Sequence, residues 1–276
     1  MNKIAVVGEC IVELNLLGKD TYKQVFSGDS LNCSISLKNI LEESEIQYIT
    51  ALGEDELSKE MLNFLNKQDI KTNYINILKN KSPIVYINNK EANPTYFSSD
   101  LLDRDIFESK MSEHIMNKLM DFDLIYFSSN SIAMMSENGR VSFFKIIKKL
   151  RMYGVKIVFN SIYIPMMHES NDTARKLYEI SINYADILLT NTTDEKNLWS
   201  NITVQEITKR AQFAGCQEIV IECENQEIAY SLDGESKKIK IKELSDKNVF
   251  NSAYLAMRLK SNSIKESIIN ATKINY

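Results

Sequence analysis

One short patch of the sequence carries side chains whose types and spacing suit a polar ligand. Gly28 precedes Asp29, and Asn32 follows three residues after the aspartate. A glycine lets a backbone approach a ligand closely, and Asp29 with Asn32 would offer an acceptor and an amide at a helix start, a set suited to the hydroxyls of a sugar. The same residues also fit a plain turn in which Asp29 or Ser30 caps the next helix, and the residues alone leave both readings open. Metal chemistry has little to work with. Cys10, Cys33, Cys216 and Cys223 form no CxxC pair and the histidines are His114 and His168, so no metal site is expected. A net charge of −4 without a basic stripe between aromatics argues against nucleic acid. No export signal, disulfide spacing or run near the ~20 apolar residues of a membrane span is found, so a cytoplasmic chain with reduced thiols and no membrane partner is expected.

Gly28 and its neighbours must be held by regular elements, and the sequence supplies an alternation of them. The runs at 4–8, 46–50, 123–128, 155–160, 185–190 and 218–223 read as strands bounded by polar residues or glycine. Residues 30–43, 56–68, 136–153, 169–184 and 203–214 space their apolar positions as amphipathic helices. Strand then helix, repeated, predicts an α/β fold with a central, mainly parallel sheet flanked by helices. Two segments, about 10–27 and 70–99, break the rhythm and read as antiparallel strands of a small β-sheet lid. With 276 residues, 44% hydrophobic, and no repeat or linker, one domain over 1–276 with that lid is expected. An exposed lid edge needs covering, which points to a homodimer through the lid.

The order GEC-I-VEL, FSGDSLNCSISLKNI, TALGEDELSKEML, then DLIYFSSNSIAMMS, FNSIYIP, ADILLTNTTDE and VFNSAYLAMRL resembles the ribokinase-like, PfkB-type carbohydrate kinases, nearest to the 2-keto-3-deoxygluconate kinases. The resemblance implies a ribokinase-like fold and phosphorylation of a hydroxyl of a sugar acid with ATP and Mg. It places Gly28, Asp29, Asn32, Tyr86 and Tyr96 against the substrate, although packing of a lid strand accounts equally for the two tyrosines. It places Asn191, Asp194, Ser245, Lys247 and Asn270 on the nucleotide side, and Asn248 at the position of the family's catalytic base.

The chain departs from the family at several of these positions. Where a glycine-rich turn should end in an aspartate that takes the hydroxyl proton, it reads Ser245-Asp246-Lys247-Asn248. An amide cannot accept that proton, and the loss of a general base is worth roughly 10²–10⁴ in rate. The N-x-x-E motif is Asn191-Thr192-Thr193-Asp194, with Glu195 beside it, and a Lys-x-Gly lead-in has become Glu222-Cys223-Glu224. Two arginines expected to pair with a substrate carboxylate are missing, from 160–164, which reads Asn-Ser-Ile-Tyr-Ile, and from Tyr96-Phe97-Ser98. The chain ends at Tyr276, soon after Asn270, where family members usually continue. The departures together predict a kinase homologue of weak or absent activity and doubtful nucleotide binding. An active carbohydrate kinase with altered substrate and base is the alternative, and a non-catalytic sugar-binding or scaffold protein a further one.

Overall fold

Residues 3–7 are apolar on both sides of the chain after Lys3, and in the structure, a computed structural model, they form β1 (Lys3–Val7), a central strand buried on both faces. The structure describes residues 1–79, 82–88, 95–97, 115–242 and 247–274, with the backbone alone for 95–97 and 247–248. The main sheet continues through β4 (Glu45–Ile49), β9 (Leu124–Ser128), β10 (Lys156–Asn160), β11 (Ile187–Asn191) and β12 (Glu218–Cys223), all parallel. A hairpin of β13 (Glu227–Leu232) and β14 (Glu235–Lys240) adds two antiparallel strands, giving eight in the order β14-β13-β12-β11-β10-β9-β1-β4. The sequence reading of a mainly parallel sheet flanked by helices therefore holds.

Side chains alternate across this sheet into two cores. Ala5, Val7, Ile125, Phe127, Ile157 and Phe159 pack on one face, under α4 (Glu137–Met152) and α5 (Asn171–Tyr184). Ile4, Val6, Tyr126, Val158 and Leu189 pack on the other, with Leu31 and Leu37 of α1 (Asp29–Ile40) and residues 253–256 of α8 (Lys247–Leu259). The remaining helices are α2 (Glu56–Lys67), α3 (Ser129–Ala133), α6 (Thr192–Trp199), α7 (Val204–Phe213) and α9 (Ile264–Ala271). Both outer edges of the sheet are guarded. Lys71 bonds along β4, its N–H to Ile46 O and its O from Tyr48 N–H, while β14 is solvent-exposed and carries Lys237, Lys238 and Lys240.

The two segments that broke the rhythm meet in a separate four-stranded sheet. Its order is β3 (Thr21–Ser27), β2 (Ile11–Gly18), β7 (Ile84–Asn88), β8 (Thr95–Phe97). Two details differ from the sequence reading. First, β2 pairs with β7 in parallel, Ile11 opposite Ile84, because both strands leave the main sheet in the same direction. Second, the stretch around 75–78 does not join this sheet, since β6 (Asn76–Ile77) pairs with β5 (Ala51–Leu52) beside the main one. Among the described residues no helix is long and apolar enough to cross a membrane, and no group of three His, Cys, Asp or Glu side chains could hold a metal ion.

Candidate functional site

In an open parallel sheet the crevice forms where the strand order reverses, outside the carboxyl ends of the strands. Here that reversal lies between β1, from which the chain moves out to β4, and β9, from which it moves the other way. Three pieces of chain converge there: Gly8 and Glu9 after β1, Asp29 and Ser30 at the start of α1, and residues 128–131 from the end of β9 into α3. A Cβ on Gly8 would lie 1.8 Å from Ser30 Oγ, so the close packing of β1 on α1 depends on that glycine.

Gly28 has φ +131° and a Cβ there would stand 3.0 Å from Glu9 O, so it serves the approach of its own backbone to Glu9. It is also the N-cap of α1, without a side-chain cap. Neither Asp29 nor Ser30 therefore caps the helix. Asp29, 8% exposed, instead turns its Oδ1 toward Ser128 Oγ and Asn130 Nδ2, each donating at 3.4 Å. Asn32 lies one turn along α1, half-buried, its N–H bonded to Gly28 O at 2.8 Å.

Glu9 is the buried centre of this cluster. Its Oε2 accepts from Ser30 Oγ at 3.1 Å and Ser131 Oγ at 3.4 Å, and its backbone oxygen accepts from Tyr48 Oη at 2.5 Å. Burial, and then the carboxylate of Asp29 beside it, raise the Glu9 pKa well above its ordinary 4.5. A carboxyl that keeps its proton can donate to Asp29, whose Oδ2 otherwise finds no donor. Because the folded state holds this proton more tightly than the unfolded chain, stability falls as pH rises from about 4.5 toward the raised value. Glu9→Gln is expected to remove that slope, so its melting temperature should gain on the wild type between pH 5 and pH 8. Parallel melting curves against pH would refute a protonated Glu9.

Helix α8 packs along α1, which begins at this cluster. Cys33 of α1 interacts with Ser252 of α8 and with Tyr126 of β9, and burial pushes its thiol up to about 12. Tyr126 Oη in turn accepts from Asn160 Nδ2 at 2.8 Å. Asn248 is the second residue of α8 and Lys247 the first, while Ser245 and Asp246 lie outside the described residues. Tyr86 of β7 packs with Ile164 around Ile11, Ile84, Met134 and Met167, beneath the small sheet. Tyr96 stands opposite Tyr86 in the backbone register, and its side chain lies outside the described residues.

At the end of β11, Asn191 caps α6, accepting from Asp194 N–H at 2.8 Å and donating to Asp194 Oδ2 at 2.6 Å. Glu224 is adjacent, its N–H on Thr192 Oγ1 and both its carboxylate oxygens 2.9 Å from Lys196 Nζ. Asn270, on α9, accepts from Lys273 Nζ at 3.5 Å. The structure thus gathers Glu9, Asp29, Ser128 and Asn130 in one place and the Asn191 group in another. Glu9 and Asn130 were missed by sequence reasoning, and the signals were a glutamate directly after a buried strand and a polar run closing β9. A groove of ≈ 270 Å³ lies at the opposite, amino-terminal end of the strands, lined by Asp186, Glu218 and Arg258 among others. Two of its carboxylates, Asp186 and Glu218, are paired with Arg151 at 3.0 Å and Arg258 at 2.6 Å, contacts that tie strand ends to helices.

This arrangement of a switch-point cluster, a helix packed along α1 and a separate small sheet belongs to a known class. The chain is a member of the pfkB family of carbohydrate kinases, whose pattern matches residues 1–273. Among curated relatives, the 2-dehydro-3-deoxygluconokinase of Dickeya dadantii is 29% identical over 280 residues, covering 96% of this chain and 90% of the relative. That of Escherichia coli is 28% identical over 281 residues, covering 96% and 91%. Of solved structures, a PfkB protein from Polaromonas sp. JS666 matches with a TM-score of 0.85 at 12% identity, covering 99% of this chain and 94% of the other. A putative ribokinase II from E. coli, solved with ATP and Mg2+, matches with a TM-score of 0.81 at 14% identity, covering 99% and 91%.

Proposed function

We propose that this protein binds a small sugar at the Glu9–Asp29 cluster but transfers phosphate from ATP weakly or not at all. The observation that carries the reading is the start of α8, where the position equivalent to the family's base holds Asn248, an amide that cannot take a proton from a hydroxyl. Gly28, Asp29 and Asn32 form the sugar side, with Tyr86 and Tyr96 of the small sheet as its cover. The nucleotide side fits ATP and Mg poorly. The Asn191 side chain is already bonded to Asp194 through its oxygen and its nitrogen, and Glu222 and Glu224 stand in the sequence where the family resemblance implies a Lys-x-Gly lead-in to a polyphosphate. No proton-transfer or phosphoryl step is therefore assigned to these residues.

A coupled assay of ADP release over a panel of sugars and 2-keto-3-deoxy acids tests this. Kinases in general turn over at roughly 1–100 s⁻¹. Here the expected rate is at least ~10²-fold lower, the minimum for a missing base. Sugar-dependent release near 1 s⁻¹ would instead support an active kinase that uses another base.

A further inference from the structure

Asn130 is 2% exposed, and its Nδ2 points at Asp29 Oδ1, as the negative charge of a carboxylate dictates. That orientation turns the amide oxygen away, and Asn130 Oδ1 has no hydrogen-bond donor although it is buried. A buried, unpaired amide oxygen costs free energy unless something donates to it. Beside it stand Asp29 Oδ2, which lacks a donor unless Glu9 or a ligand supplies one, and the hydroxyls of Ser128 and Ser131, already engaged with each other at 2.9 Å. The cluster therefore presents acceptors and negative charge. Among the described residues no lysine or arginine pairs with Glu9 or Asp29. Among the described residues the chain beside it offers none either: Ser129 Oγ bonds Ile162 O, and Ile164 packs against Met134 and Met167.

We propose that Asn130 is a specificity-determining residue of the sugar site, and that the site takes a neutral sugar, one hydroxyl of which donates to Asn130 Oδ1, in preference to a sugar acid. The inference rests on the sugar-binding reading above and narrows it. A hydroxyl supplies the donor that Asn130 Oδ1 lacks, and a sugar acid, which also has hydroxyls, is set apart by its carboxylate, a charge of the same sign as Asp29.

Calorimetric titration of the full chain with D-ribose, D-fructose, gluconate and 2-keto-3-deoxygluconate tests the proposal. The wild type is expected to bind one of the neutral sugars at least about tenfold more tightly than either acid, the scale of one hydrogen bond to a buried group. Asn130→Leu, near in volume, is expected to weaken that sugar by about tenfold or more. Its melting curve establishes folding, and the wild-type preference stands as a test without any variant. Tighter binding of an acid, or an unchanged neutral sugar in folded Asn130→Leu, overturns this inference and leaves sugar binding intact. Binding of none of the four overturns both.

Discussion

Titration with Mg-ATP into the millimolar range is expected to give no saturating isotherm and no appreciable rise in melting temperature, and Asn248→Asp alone is expected to leave ADP release at the wild-type level. Restoring the carboxylate replaces one group of a set. The turn ahead of it still reads Ser245-Asp246-Lys247, without the glycines whose backbone N–H groups could wrap a phosphate, and an anion hole short of one donor loses roughly 10²–10³ in rate. Charge adds to this. Glu224 is neutralised by Lys196 at 2.9 Å, while the sequence of the turn itself adds Asp246, with Lys247 beside it. A like-charge pair at ~8 Å and an effective dielectric near 20 costs roughly 2 kcal/mol, about 30-fold in affinity before screening. Because groups that act as a unit do not recover singly, the single change should achieve little. A micromolar Kd for ATP, or a gain of ~10²-fold on Asn248→Asp, would return the chain to the working kinases.

Glu195→Ala is expected to cost about 3–5 kcal/mol, the usual penalty for stripping one partner from a buried ion pair. Glu195 is 1% exposed and accepts from Arg210, from Tyr178 Oη, and from Thr190 Oγ1 at 3.0 Å. Arg210 itself lies 4.5 Å and 4.6 Å from the ring centroids of Tyr178 and Trp199, which meet edge to face. Deleting the carboxylate leaves that guanidinium without its counter-charge in an aromatic pocket. With ~2–4 °C lost per kcal/mol for a chain of this size class, melting should fall by roughly 6–20 °C. Asp194→Ala, its neighbour at the strand end, should cost about 1 kcal/mol, the net value of an ordinary hydrogen bond, since the backbone bond to the Asn191 cap remains. Equal losses for the two would mean that the neighbouring acids share one role.

That contrast shows what the sequence could convey. The parallel strands were legible because each is a short apolar run with no room for an alternating polar face, and the small sheet because Asn and Lys turns broke the helix rhythm. The β13–β14 hairpin was not, since Glu235–Lys240 is almost wholly polar and nothing in it signals a strand. Asp194 and Glu195 are adjacent letters, yet a helix turns each residue about 100° from the last, so one accepts from Asn191 and Tyr163 at the strand end and the other is buried with Thr192 and Leu198. The motifs located Asp29. They could not locate Asn130, 101 positions away, because the contact exists only once β1 and β9 are paired.

The guarded rims of the main sheet bear on how the protein behaves in crowded solution. An unpaired strand edge is a template on which identical molecules can stack without end. On one rim the backbone groups of β4 are engaged by Lys71, and on the other an arriving copy of β14 would set Lys237, Lys238 and Lys240 against their own counterparts. Fibril growth through this sheet is thereby opposed at both ends, and concentrated preparations should resist cross-β aggregation until the lysine charge is removed by acetylation or high pH.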